Sequence, residues 1–422
     1  MGSTPHPPDG DLPSSSTCSS LRLTPDEGIV FEGPDGLPRL HAGGVFALDV
    51  LKYDPRNNRD SGVRIDRAVA RLDGSIAEDW RFRLAADLKG TDTRYGLEEA
   101  WLYYEPKSWL RATAGLIEIP LGYEYSVQEE DLPFVGYGYP SLLDGVTDLA
   151  LRLDGEIHPS IFYYDLVAAA GEGFDLFGQK RDSPQLSARI VSYPFSGSDT
   201  SVSFFHYDIP LLSGLFAGAA FAYLPDFRGN LDIATPLRNK LFVTPDLRAE
   251  EGYFIHYTAG SDMGPFRITY ELVEGSLVGL ETPQGKKSLR GQIGSWEATA
   301  SWLLTGEIYD SRPFRIREGG ARVHPARPLW GGPAHKRGPG AFELAIRYTN
   351  ADMDRDFFRF GVTNYVQSSQ EFRTFTGALN WYATSSFRVT VEFTRTIADQ
   401  GPAAFSGRNR DTSFVLRLQY AF

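Results

Sequence analysis

The last ten residues, Ser413–Phe422, alternate without a break: Phe414, Leu416, Leu418, Tyr420 and Phe422 fall on one face, and Ser413, Val415, Arg417, Gln419 and Ala421 on the other. A period of two is that of a β-strand. Ten residues at about 3.3 Å each, tilted by about 40°, rise roughly 25 Å, the height of an apolar band in a bilayer. The apolar face carries no charge, whereas Arg417 sits on the face that would line water. An arginine on the lipid side at mid-depth would cost about 2–4 kcal/mol. The last strand of a soluble sandwich alternates in the same way, so this stretch alone leaves both readings open.

The same division of faces recurs upstream. Trp80, Phe82, Leu84, Ala86 and Leu88 oppose Arg81, Arg83, Ala85, Asp87 and Lys89; Phe342, Leu344, Ile346 and Tyr348 oppose Glu343, Ala345, Arg347 and Thr349. Trp296, Ala298, Ala300, Trp302 and Leu304 oppose Glu297, Thr299, Ser301, Leu303 and Thr305. Very short joints (73–79, 105–108, 156–160, 193–200, 262–265, 384–386) alternate with long polar ones (90–97, 118–147, 171–184, 209–251, 275–294, 397–411), the pattern of a barrel with turns on one side of a membrane and loops on the other. No run reaches the roughly 20 apolar residues of a membrane helix, so a membrane protein of this sequence spans as strands. The expected fold is all-β: a transmembrane antiparallel barrel of about 16 strands, with 18 possible, closed by the strand ending in Phe422. Residues 1–40 read as a disordered tail whose export signal is absent or removed, and 41–422 as a single barrel with segments 118–147, 209–251 and 306–340 folded inward.

Composition narrows the function. The 28 Phe, 21 Tyr and 7 Trp suit aromatic girdles at two interfaces, and the formal charge of -12 argues against a nucleic-acid binder. The single Cys18 excludes an intrachain disulfide and a multi-cysteine metal site. Gly279–Lys286 imitates a phosphate loop but has five residues between its glycines and Lys287 where Ser or Thr is required; His-Glu-x-x-His and Gly-x-Ser-x-Gly motifs are missing. No catalytic residue, cofactor or metal is expected.

Four stretches, Gly115-Leu-Ile-Glu-Ile-Pro-Leu-Gly122, Trp296 through Glu307, Gly340 through Tyr348 and Leu379-Asn-Trp-Tyr382, resemble in order the phosphate- and polyphosphate-selective outer-membrane porins. The resemblance implies a 16-stranded homotrimer in outer-membrane lipid. It further implies that two external loops and one periplasmic connection fold inward around a path for small anions. By position these are 118–147, 209–251 and 306–340. In the family, arginines near the start of the second strand face the substrate; Arg67 keeps one such position, while its neighbour is Asp66. The lumen carboxylate of the family corresponds to Glu99, and the lysine of its Gly-Gln-Phe-Lys-x-Pro-Phe-Gly motif is replaced by Glu118.

From the faces themselves, Arg67, Arg71, Arg81, Arg83, Arg347 and Arg417 are expected to line the pore and bind anions, against the acidic Asp66, Asp87, Glu99 and Glu118. The segment 306–340 offers an inward basic set: Arg312, Arg315, Arg317, Arg322, Arg327, Lys336 and Arg337. The expected function is passive diffusion of small hydrophilic solutes, anions such as phosphate among them. Pairing of these arginines with lumen carboxylates, a general or cation-preferring pore, a plugged structural barrel, a membrane-barrel hydrolase and a soluble β-rich binding module remain as alternatives.

Overall fold

Every strand has backbone N–H and C=O groups to satisfy on both edges, and within a bilayer a β-sheet does so only by closing on itself. The computed structural model describes residues 19–422 except 25–27, 56–60, 90–95, 145, 159–160, 172–183, 199, 205–206, 211, 236, 284, 286–288, 310–321 and 332–333. The first ten strands are β1 (Ser20–Thr24), β2 (Gly28–Glu32), β3 (Arg39–Tyr53), β4 (Gly62–Ala77), β5 (Trp80–Asp87), β6 (Leu97–Lys107), β7 (Leu110–Ile119), β8 (Val146–His158), β9 (Phe162–Ala169) and β10 (Gln185–Ser192). The remainder are β11 (Ser201–Phe204), β12 (Tyr207–Pro210), β13 (Leu215–Ala234), β14 (Lys240–Met263), β15 (Phe266–Leu280), β16 (Leu289–Leu303), β17 (Ala341–Met353), β18 (Glu371–Tyr382), β19 (Phe387–Ala398) and β20 (Arg410–Ala421).

Strands β3–β10 and β13–β20 pair antiparallel in sequence order, β10 bonds β13, and β20 bonds β3, closing a 16-strand barrel. The strand ending in Phe422 is therefore the seam. Gly44 N donates to Phe422 O at 2.8 Å and Phe422 N to Gly44 O at 3.0 Å. A Cβ on the adjacent Gly43 would lie 2.1 Å from Phe422 O, so only glycine lets the two ends meet this closely.

The faces divide as the alternation requires. Leu344, Ile346, Leu416 and Leu418 point outward and are exposed, whereas Glu343, Arg347, Arg417 and Gln419 are buried inside. Aromatic residues gather at two heights: Trp80 stacks on Tyr104 and Phe266 on Trp302 toward the short-turn end, while Trp296 packs between Tyr270 and Tyr348 toward the other. These are the two girdles that anchor a barrel at its interfaces.

Two segments differ from expectation. Residues 20–24 and 28–32, read as part of a disordered tail, pair as β1 and β2, and Ile29–Glu32 pair with Arg39–Ala42 of β3, continuing the line of β20 past the C-terminus. The free edge of β3 beyond the seam supplies the partner that the local sequence does not reveal. Cys18 lies outside the described residues. The segment 209–251 is mostly strand, the tall β13–β14 hairpin, whose turn leans over the mouth. Leu237 packs with Leu51, Tyr53, Val135 and Val415, and Asn239 Nδ2 donates to Asp411 Oδ2 at 2.8 Å. Its periodicity is broken by a register shift at Gly229 and by Asp226 at φ 51, which hides the strands from a reading by alternation.

Candidate functional site

Residues 120–144, between β7 and β8, run inside the barrel and carry short 3-10 turns at Glu124–Ser126 and Glu129–Asp131 and helix α1 (Tyr139–Asp144). Irregular backbone at membrane depth persists only if its polar groups find partners. The lumen faces of β17–β20 supply them. Gln419 Nε2 donates to Glu130 O at 2.7 Å, Arg388 Nη1 to Leu132 O at 2.5 Å and Asn380 Nδ2 to Pro133 O at 2.8 Å. Arg417 Nη1 donates to Val135 O at 3.0 Å, Arg347 Nη1 to Gly136 O at 3.0 Å, and Val135 N to Glu392 Oε2 at 2.8 Å. The polar lumen face of these four strands is thus a mould for the loop backbone. Phe134 adds a cation–π contact, its ring centroid 4.3 Å from the Arg347 guanidinium carbon.

Across the lumen the loop's acids meet the basic strands. A bulge places this wall: Ala47 pairs with Arg67 but Leu48 with Ile65, so Asp66 is the extra residue and both Asp66 and Arg67 come to the lumen. Arg67 bonds Glu129 and, at 3.2 Å, Glu98; Arg71 bonds Glu130 and the Gln128 side chain, each at 3.0 Å. Burial works against the charge of Glu130, but Arg71 and Arg67 outweigh it and hold its carboxyl down to about 2. Burial instead pushes the carboxyl of Asp131 up, against the pull of Arg322.

Arg347 and Arg417 are covered by the loop, so the structure corrects their assignment as solute-facing groups. Arg347 pairs with Glu124 at 2.9 Å, and Arg417 grips both oxygens of Asp49 at 2.7 and 3.0 Å while also bonding Asp66. Arg83 lies 3.4 Å from Glu99 and over the Trp101 ring; Arg81 stands apart, half-exposed near the short-turn end, 3.8 Å from Glu105. Asp87 is buried and accepts from Lys89 N at 2.9 Å, and Glu118 is half-buried where β7 ends, opposite Thr147. All six arginines singled out from the sequence therefore have carboxylate partners.

The basic segment 306–340 divides. Arg322 enters the lumen, with Nε 3.1 Å from Asp131 Oδ1, and Tyr309 donates to Glu343 at 2.5 Å. Arg327, Lys336 and Arg337 do not enter; they are exposed on a flap closed by Gly340 N to Arg327 O at 3.0 Å and pinned to the rim by Trp330 against Phe387 and Trp381 Nε1 on Pro339 O. Local closure of this proline-rich stretch keeps them out. Arg312, Arg315 and Arg317 lie outside the described residues. Arg388, Gln419, Asn380 and Glu392 were missed by sequence reasoning, although their lumen parity was readable; what was not readable is the partner, since each contacts a loop some 250 residues away or more.

A closed barrel of 16 strands, with an apolar outer face between aromatic girdles and a polar lumen crossed by an inward loop, defines an outer-membrane porin, a channel for passive diffusion. Within that class, residues 264–422 match the family of phosphate-selective porin O and P, so the resemblance read from the motifs between Trp296 and Tyr382 holds over β15–β20. No curated protein sequence matches the chain. Among solved structures it is similar to the outer membrane channel DcaP of Acinetobacter baumannii, with a TM-score of 0.54 and 12% identity over 91% of this chain and 97% of that one. It is also similar to an anion-selective porin from Comamonas acidovorans, with a TM-score of 0.52 and 10% identity over 91% and 99%. At these identities the likeness concerns the fold.

Proposed function

We propose that this porin passes small hydrophilic solutes with a preference for anions such as phosphate, along the wall formed by β4 and β5. The observation that carries the reading is a column of guanidiniums on that wall. Arg64, Arg67, Arg71 and Arg83 each keep part of the side chain exposed there, so their charge reaches the lumen although each also meets a carboxylate. Arginine presents its N–H donors in a rigid planar fork suited to phosphate or carboxylate oxygens. Charges act over only about 8 Å at physiological salt, so this column weighs more in selectivity than the chain's net negative charge. The family match supports the same preference, and the porin from Comamonas acidovorans is itself described as anion-selective. One observation favours a second reading, a near-neutral or cation-preferring pore: Arg67 and Arg71 already face three loop and wall acids, Glu98, Glu129 and Glu130.

Reversal potentials of the purified protein in a planar bilayer under a potassium chloride gradient decide between them. An anion-selective potential, with added phosphate reducing the chloride current, is the expected result. A cation-selective potential would overturn it in favour of the second reading, and no conductance would mean a barrel plugged by its loop. We further propose a homotrimer in outer-membrane lipid, as the family resemblance implies. Chemical crosslinking before denaturation is expected to yield a species of three chains, and a single-chain product only would refute it.

A further inference from the structure

We propose that Glu124, Glu271 and Glu297 form a calcium site that fastens the start of the inward loop to β15 and β16. One carboxylate oxygen from each of the three lies within 4.8 Å of those of the other two, and all three residues are buried. Oxygens bound to one Ca2+ at about 2.3–2.6 Å fall within that separation. Glu271 accepts from the backbone N–H groups of Tyr123 and Glu124, and Glu124 accepts from Gly138 N at 2.6 Å and Arg347 Nη1 at 2.9 Å. Glu297 differs. It is 1% exposed, and neither of its carboxylate oxygens has a hydrogen-bond partner among the described residues. A buried carboxylate without a donor is among the costliest arrangements in a protein, and a cation removes the cost.

Charge balance points to a divalent ion. The groups facing the three carboxylates are the Arg347 guanidinium and the imidazole of His256, whose Nε2 is 3.2 Å from Glu271 Oε1. With His256 neutral, two negative charges are left over, which one Ca2+ cancels. Carboxylate oxygens are hard ligands, and Ca2+ accepts the irregular geometry of ligands drawn from three separate elements, whereas Mg2+ demands a near-ideal octahedron and keeps its waters. A cavity of about 20 Å3 lined by Glu124, Thr269 and Thr299 adjoins the site, room for one water to complete the shell. Two glycines admit the wall carboxylates to the loop backbone: a Cβ on Gly122 would sit 2.6 Å from Glu271 Oε1, and one on Gly138 only 1.5 Å from Glu297 Oε2.

The test uses the full-length folded protein in detergent, stripped with chelator, and equilibrium dialysis against radioactive Ca2+. Wild type is expected to take up one Ca2+ per chain and to unfold at a higher denaturant concentration when it does. Glu297→Gln is expected to bind about tenfold more weakly or worse, since ligand charge sets Ca2+ affinity, and to lose the shift in unfolding. Asp352→Asn, at an exposed acid on the outer face, serves as the surface control and is expected to bind as wild type does. No stoichiometric uptake by stripped wild type, or equal uptake by Glu297→Gln, would overturn the site and leave a proton shared among the carboxylates in its place. Should Glu297→Gln fail to fold, the wild-type uptake still decides, and Glu297→Asp, which shortens the reach, replaces it with the same expected loss.

Discussion

Replacing Arg417 with methionine is expected to lower the stability of the barrel by about 3 kcal/mol, read as a fall in the denaturant concentration at which the detergent-solubilised protein unfolds. The arginine is 1% exposed and sits at the seam, gripping both oxygens of Asp49 on β3, bonding Asp66 on β4 and donating to Val135 O of the inward loop. Methionine fills much of the same space, so the loss is electrostatic. It leaves two buried carboxylates side by side and one loop carbonyl without its donor. Removing one partner of a buried pair typically costs about 3–5 kcal/mol. The lower end applies because Arg64 remains 3.2 Å from Asp49 and 3.1 Å from Asp66, although it is more exposed and already serves both acids. Adding Asp49→Asn to Arg417→Met should restore part of the loss by removing the stranded charge. An unfolding midpoint unchanged by Arg417→Met would show that the pair is a bystander and that the seam is held by its backbone ladder alone.

Arg417 also marks the boundary of what the sequence makes legible. Its parity on β20 placed it in the lumen, and the same alternation identified the outward faces of β5, β16 and β17, because a lipid-facing row tolerates no charge. Strand number followed from connection lengths. What alternation does not encode is the partner across the lumen. Nothing local to Gln419 or Arg388 indicates that each will bond a carbonyl of 130–132, and nothing local to Arg347 indicates that Glu124 will cover it. The bulge at Asp66 was equally hidden: it is a property of the pairing of β3 with β4, and strict alternation would set the neighbours Asp66 and Arg67, both expected in the lumen, on opposite faces. Charge on the lumen face was read as pore lining, yet much of it secures a loop. A basic residue inside a barrel has two employers, the solute and the protein's own irregular backbone, and only the three-dimensional placement of 120–144 separates them.

That division of labour makes Gly138 the position from which the loop is most readily disturbed without touching a charge. A Cβ there would fall 1.5 Å from Glu297 Oε2 and 2.5 Å from its Cδ, so one of the two must move. Glu297 is buried and packed beside the buried Glu124 and Glu271, so a displaced carboxylate has no open space to enter. The loop yields instead. For Gly138→Val the overpacking penalty is about 1–3 kcal/mol. Against it stand the anchors at 130–136, each hydrogen bond worth about 1 kcal/mol and those from arginine more. Several such anchors exceed the penalty, so the loop is not expelled. Release is confined to the stretch around 137–144, where Tyr139 meets Thr374 and Phe372. The expected result in single-channel recordings is a current that fluctuates between the wild-type level and a larger one, with the barrel's unfolding midpoint shifted by no more than the overpacking penalty. A steady wild-type current would show that Glu297 moves aside at little cost. A permanently enlarged current would show that the wall side chains of β17–β20 hold the loop less firmly than their geometry implies.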